Sequence, residues 1–105
     1  MIARIGYFEN LTSEKRRIQD ENYRGRFGMA MAKQPGFIAS LVLEDPNGRR
    51  LSVSVWNSEE ELVTGAAHAN SEPLLPGHRG EDIPSPDRAE LFQVIDSQGL
   101  ARVDH

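Results

Sequence analysis

Tyr7, Tyr23 and His68 are the side chains of this sequence with the chemistry to move a proton to or from a small organic molecule. Histidine titrates near neutral pH, which makes His68 the natural acid–base candidate. Each tyrosine offers a phenol, although a half-buried tyrosine with one satisfied hydroxyl is the commoner arrangement. Other residues have the shape of pocket walls. In SVSVW (52–56) the side chains of Ser52, Ser54 and Trp56 fall on one face of an alternating segment. Two small residues beside a large ring leave room, as a pocket wall would. Core packing under a following helix is the commoner role for such an indole, and the two roles overlap. Phe27 is a further aromatic candidate for contact with a ligand.

The remaining histidines add little. His78 lies beside Arg79, Glu81 and Asp82 in a long loop, and it reaches a substrate only if that loop folds over the pocket. His105 is terminal. The three histidines are too scattered for a metal-ligand spacing, and neither H-x-H nor H-E-x-x-H occurs. The G-x-G-x-x-G, Walker and G-x-S-x-G patterns are absent as well. The expectation is a site without metal or cofactor.

The elements that must position these residues follow from periodicity. MIARIGYFE (1–9) alternates as a strand, with Ala3, Ile5 and Tyr7 on one face and Ile2, Gly6 and Phe8 on the other. Thr12 or Ser13 caps a helix whose first turn carries Glu14. Ile18, Tyr23, Phe27, Ala30 and Met31 fall near one stripe of it, interrupted by Gly25 and Gly28, and Gln34-Pro35-Gly36 stops it. FIASLVLE (37–44) puts Phe37, Ala39, Leu41 and Leu43 on one face and Ile38 and Val42 on the other. Such a strand expects cover on both sides. DPNG (45–48) supplies a turn, and RRLSVSVW (49–56) returns as the hairpin partner.

Ser58 and Glu61 form a capping box ahead of a second helix over about 59–70, with Leu62, Ala66 and Ala69 as its apolar stripe. On that helix His68 lies roughly 120–130° from the stripe and points sideways or outward. Residues 71–88 carry four prolines and two glycines, a long connection for a compact domain. AELFQVID (89–96) closes as a strand, and 97–105 reads as a tail. The order β-α-β-β-α-β predicts an α+β, ferredoxin-like fold: an antiparallel sheet with both helices on one face. The far face, judged from Ile38 and Val42, then predicts a homodimer through the sheet.

Composition narrows the function classes. At 105 residues the chain fits a single domain. It is 38% apolar and 27% charged, as globular chains are, and its formal net charge is −4. That sign disfavours nucleic acid and anionic membranes. The first helix is basic at Lys15, Arg16, Arg17, Arg24 and Arg26, and the topology matches an RNA-recognition fold. The third strand, however, carries no central aromatic on which bases would stack. With no cysteine, disulfides and thiolate chemistry are excluded. No basic-then-apolar leader opens the chain, and no apolar run nears the roughly 20 residues of a membrane span. The expectation is a soluble cytoplasmic protein.

QPGFIASLVLED (34–45), a turn, and RLSVSVWNSEEEL (50–62) leading into a short helix resemble the antibiotic biosynthesis monooxygenase-like family. The likeness is carried by residues 34–62, and the outer strands fit more loosely. The resemblance implies a single such domain over 1–105 and a dimeric α+β barrel whose two sheets face each other. It also implies a small-molecule pocket between sheet and helices. Members include cofactor-independent oxygenases acting on quinols and polyketides, haem-degrading monooxygenases, isomerases, and proteins with no known reaction, so the fold does not settle the function. The haem-degrading members use an asparagine on the first strand, a tryptophan ending the third, and a histidine on the next helix. Trp56 matches that tryptophan and His68 lies near that histidine. The first strand here offers Ala3 and Arg4 in place of the asparagine, and Asn10 comes after it. Oxygenase chemistry would use Trp56 as wall and Tyr7, Tyr23 or His68 as polar participant. The alternative is a non-catalytic ligand-binding or accessory dimer.

Overall fold

The computed structural model describes residues 1–100. The end of the expected tail, 101–105, and His105 with it lie outside the described residues. Four strands form one antiparallel sheet: β1 (Ile2–Phe8), β2 (Phe37–Glu44), β3 (Arg50–Trp56) and β4 (Arg88–Gln93), in the order β2-β3-β1-β4. The helical layer comprises α1 (Ser13–Asn22), α2 (Gly28–Ala32) and α3 (Glu59–Asn70). The fold is therefore α+β and ferredoxin-like, as the order of elements predicts.

The local signals act as expected at both helix starts. Thr12 Oγ1 accepts from the Lys15 amide at 3.1 Å and caps α1. Ser58 Oγ accepts from the Glu61 amide at 3.2 Å and caps α3. In the hairpin turn Asp45 Oδ1 accepts from the amides of Asn47 and Arg49, both at 2.9 Å. That side chain mimics a backbone turn and fixes the hairpin register.

The two glycines in the first helix do not end it. The chain continues from α1 through a π-helical turn, Tyr23–Phe27, into α2, with the Gly28 amide donating to the Tyr23 carbonyl. A π-turn adds a residue to the helical cycle and re-aims the next segment. It brings both Tyr23 and Phe27 against the sheet.

The face assignment on β2 is corrected. The β2–β3 register shifts between Phe37 and Ala39. A one-residue bulge exchanges the faces of everything beyond it. Ser40 and Val42 consequently pair with Ser54 and Ser52 on the helix-covered side. Leu41 and Leu43 lie on the uncovered side, 50% and 45% exposed. Val42 thus belongs to the covered side, and the bare apolar face of this strand is carried by Leu41 and Leu43.

The core sits at one end of the covered face. Trp56 is completely buried among Met31, Leu62 and Ala69, with Ile2, Phe27 and Phe37 around it. Phe37 meets the indole edge to face, 5.4 Å between centroids. Helix α3 crosses this ring at Gly65, where a Cβ would stand 2.5 Å from the indole. Only a glycine permits that approach.

Candidate ligand-binding cavity

Past Trp56 the covered face of β3 carries Ser54, Ser52 and Arg50. Serine is too short to reach the helical layer, and a cavity of about 710 Å³ opens above the two hydroxyls. Its floor includes Arg4 and Phe8 of β1, Ser52 and Ser54 of β3, and Ser40 and Val42 of β2. Its roof includes Asn22, Tyr23, Arg26, Phe27 and Met31 from the first helical arm, with Leu62 and Ala66 of α3 at the side. The Tyr23 hydroxyl is hydrogen-bonded to the Ser40 hydroxyl across the gap.

The long 71–87 connection closes the remaining side of its own subunit's cavity through Pro73, Leu74, Ile83 and Pro86. Pro86 lies over Gly6, where a Cβ would come within 3.3 Å of the proline ring. His78 Nε2 meets Glu21 Oε1 at 2.8 Å, and Lys15 Nζ donates to the Asp82 carbonyl at 3.4 Å. The amide of Asp87 donates to the Tyr7 carbonyl at 2.7 Å. These bonds hold the loop on α1 and β1. The His78 ring is buried against α1 and is not part of the cavity wall. Its hydrogen bond holds the Glu21 carboxyl below the ordinary carboxylate range, with Arg17 adding to the effect.

Two guanidiniums of the site region are committed to the scaffold. Arg26 is buried and donates to Asn22 Oδ1 at 3.0 Å, to the Asn70 carbonyl at 2.6 Å and to the Glu72 carbonyl at 2.9 Å. The latter two oxygens lie at the C-terminal end of α3, where a cation is favoured. Arg50 is buried at the other end of the floor and meets Asp20 and Glu44, each at 2.7 Å.

The expected site residues divide accordingly. Tyr23, Phe27, Ser52 and Ser54 come together around the cavity. Trp56 packs beside it as core and does not line it. Its indole Nε1 is buried with no hydrogen-bond partner among the described residues. Tyr7 lies on the opposite face of the sheet, because strand parity turns it away when Arg4 and Phe8 face the cavity. There it donates to Glu90 Oε1 at 2.8 Å, with the Arg88 guanidinium 3.7 Å above its ring. The bond to Glu90 raises the phenol pKa above its ordinary value, since only the protonated hydroxyl can donate it, and partial desolvation adds to the effect. His68 is exposed on α3, and its Nδ1 meets Gln34 Oε1 at 3.2 Å outside the cavity. Neither Tyr7 nor His68 is placed to act on a ligand there.

Arg4, Asn22, Arg26 and Ser40 line the cavity and were not among the expected site residues. The i, i+4 spacing of Asn22 and Arg26 on one helix was a usable signal. Ser40 was hidden by the bulge. No group of three potential metal ligands occurs among the described residues. No helix among them is long and apolar enough to cross a membrane.

No protein-family model matches the sequence, and no curated protein matches it by sequence. Solved structures do match. A variant of SnoaB, a cofactor-independent oxygenase from Streptomyces nogalater, superposes with a TM-score of 0.65 at 15% identity, over 93% of this chain and 96% of that one. The chain has the antibiotic biosynthesis monooxygenase fold. A monooxygenase from the gene ActVA-Orf6 of Streptomyces coelicolor, bound to nanaomycin D, gives 0.63 at 16% identity, over 92% and 89% of the two chains. MhuD, a haem degrader from Mycobacterium tuberculosis with two haems in its active site, gives 0.61 at 23% identity, over 94% and 100%. At these identities the likeness is one of fold.

Proposed function

We propose that the protein binds a small aromatic molecule between sheet and helices and oxygenates it without a cofactor. The observation that carries this reading is the cavity between sheet and helices, in which Phe8, Phe27 and Met31 accompany a Tyr23–Ser40 hydroxyl pair. Apolar walls with few convergent polar groups are the usual form of a small-molecule site. An electron-rich quinol or enol lying against Tyr23 and Ser40 would pass its proton into that hydroxyl pair. The resulting carbanion reduces dioxygen directly, so the substrate is its own reductant. For an anthrone-like methylene flanked by two aromatic rings, one dioxygen converts the methylene to a ketone and yields one water. Both carbon–hydrogen bonds break and a carbon–oxygen double bond forms. One oxygen atom enters the substrate, and the other leaves as water with the two hydrogens. The chain contributes desolvation, orientation and a proton path.

The bare face of Leu41, Leu43 and Phe92 supports a homodimer through the sheet. A second reading, a ligand-binding dimer without catalysis, is favoured by the placement of both described histidines outside the cavity.

The test is dioxygen uptake with a panel of anthrones and naphthoquinols. Turnover in the wild type that falls roughly a hundredfold in Tyr23→Phe, with the melting temperature little changed, supports catalysis. Uptake no faster than the uncatalysed rate across the panel removes the oxygenase reading and leaves the binding one.

A further inference from the structure

We infer that the cavity is built for an aromatic acid, with Arg4 holding the carboxylate. This rests on the reading of the cavity as a small-molecule site and adds the charge of its ligand. Arg4 is half-buried on β1 and lines the cavity floor. It forms no salt bridge and no side-chain hydrogen bond among the described residues. By contrast, Arg16, Arg17, Arg49, Arg50 and Arg79 each meet a carboxylate, Arg88 lies over the Tyr7 ring, and Arg24 is exposed outside this cavity. A half-buried guanidinium with no protein partner keeps its donors free for an anion, and a charge-assisted, bidentate contact is the strong form of such a bond.

The surroundings agree in sign. Arg26, the other cavity guanidinium, is satisfied by three neutral oxygens, so no carboxylate cancels its charge. Of the two acidic residues on the cavity wall, Asp20 is engaged by Arg50 at 2.7 Å. Glu72 is exposed at the rim and contributes its backbone carbonyl to Arg26. With Asp20 paired and Glu72 exposed at the rim, Arg4 and Arg26 are the charges left facing the interior, within a chain whose formal net charge is −4. Walls of low dielectric strengthen this local field.

Register gives the ligand a length. Ser40, Ser54 and Arg4 are consecutive partners across β2, β3 and β1. Arg4 thus stands two strand spacings, about 10 Å, from the Ser40–Tyr23 hydroxyl pair. A two-ring aromatic acid spans that gap, with its carboxylate on Arg4 and its far ring oxygen on the hydroxyls. The fork of a guanidinium matches the paired oxygens of a carboxylate better than the single oxygen of a phenolate. One unpaired arginine also suits one negative charge better than the two of a phosphate.

Calorimetric titration with naphthalene carboxylate and its uncharged carboxamide tests this on the wild-type protein and on Arg4→Gln and Arg4→Lys. The expected result is a preference for the acid of about 10- to 100-fold, the size of a charged hydrogen-bonded contact. Arg4→Gln abolishes the preference by weakening the acid alone, and its unchanged affinity for the amide shows that the cavity is intact. Arg4→Lys keeps part of it, since the charge remains and the fork is lost. Equal binding of acid and amide by the wild type overturns the inference while the small-molecule site stands. So does a preference that survives in Arg4→Gln. Failure of both ligands to bind overturns the inference together with the reading beneath it.

Discussion

Strand β3 presents two different regions on one face. At Trp56 the space between sheet and helix is filled, and α3 comes so close that only Gly65 fits over the ring. At Ser54 and Ser52 the same strand faces the same helical layer and leaves about 710 Å³ unfilled. The backbone pairing is continuous through both. The difference is side-chain size and nothing else in the strand. One large residue anchors the helices, and two small ones then hold open a gap that the anchor keeps from collapsing. Stability and ligand space are thus separated along a few residues.

That separation makes unequal demands, and substitutions at the two regions have unequal effects. The largest is expected from Trp56→Ala, which empties the packed end and costs about 3–5 kcal/mol in chemical denaturation. A loss under about 1 kcal/mol would mean that the layers are held by other contacts. Gly65→Ala approaches the same end from the helix side. Its new methyl meets the indole and must displace it, at about 1–3 kcal/mol by the same measurement.

At the open end, Ser54→Leu adds bulk where there is room. It should change stability by about 1 kcal/mol or less and abolish binding of any aromatic ligand in titration. A destabilisation as large as that of Gly65→Ala would show that the cavity is tighter than its volume implies.

The smallest effect concerns the end of the strand beyond the cavity. The Glu44 carboxyl is held below its ordinary value of 4.5 by hydrogen bonds from Arg50 and then Arg16. A group whose folded pKa is depressed contributes stability above its unfolded pKa and loses it as pH falls through the folded value. The melting temperature of the wild type should therefore fall more steeply than that of Glu44→Gln in the window just below 4.5. Parallel profiles would mean that the ion pair contributes nothing, as exposed pairs often do.

Much of the architecture was legible because its causes are local. The caps at Thr12 and Ser58, the Asp45 turn and the strand alternation each depend on neighbours within a few residues. The pocket walls Ser52 and Ser54 came from the same alternation. Two devices escaped because each is a one-residue irregularity with long-range consequences. The bulge after Phe37 exchanged the faces of β2, hiding Ser40 and misplacing the bare apolar side. The π-turn Tyr23–Phe27 lies inside a helix whose apolar stripe already held Tyr23 and Phe27, and periodicity did not show the turn itself.

By itself, then, the sequence determined the order of elements, the antiparallel ferredoxin-like fold and the small side chains opposite the helices, since these are set by period and by local hydrogen bonding. Only the tertiary structure decided which phenol faces the cavity, that Trp56 is sealed, that the 71–87 loop closes its own pocket, and that Arg4 is left without a partner among the described residues. Those outcomes depend on which distant groups share a space, and pairing between strands far apart in the chain is what brings them there.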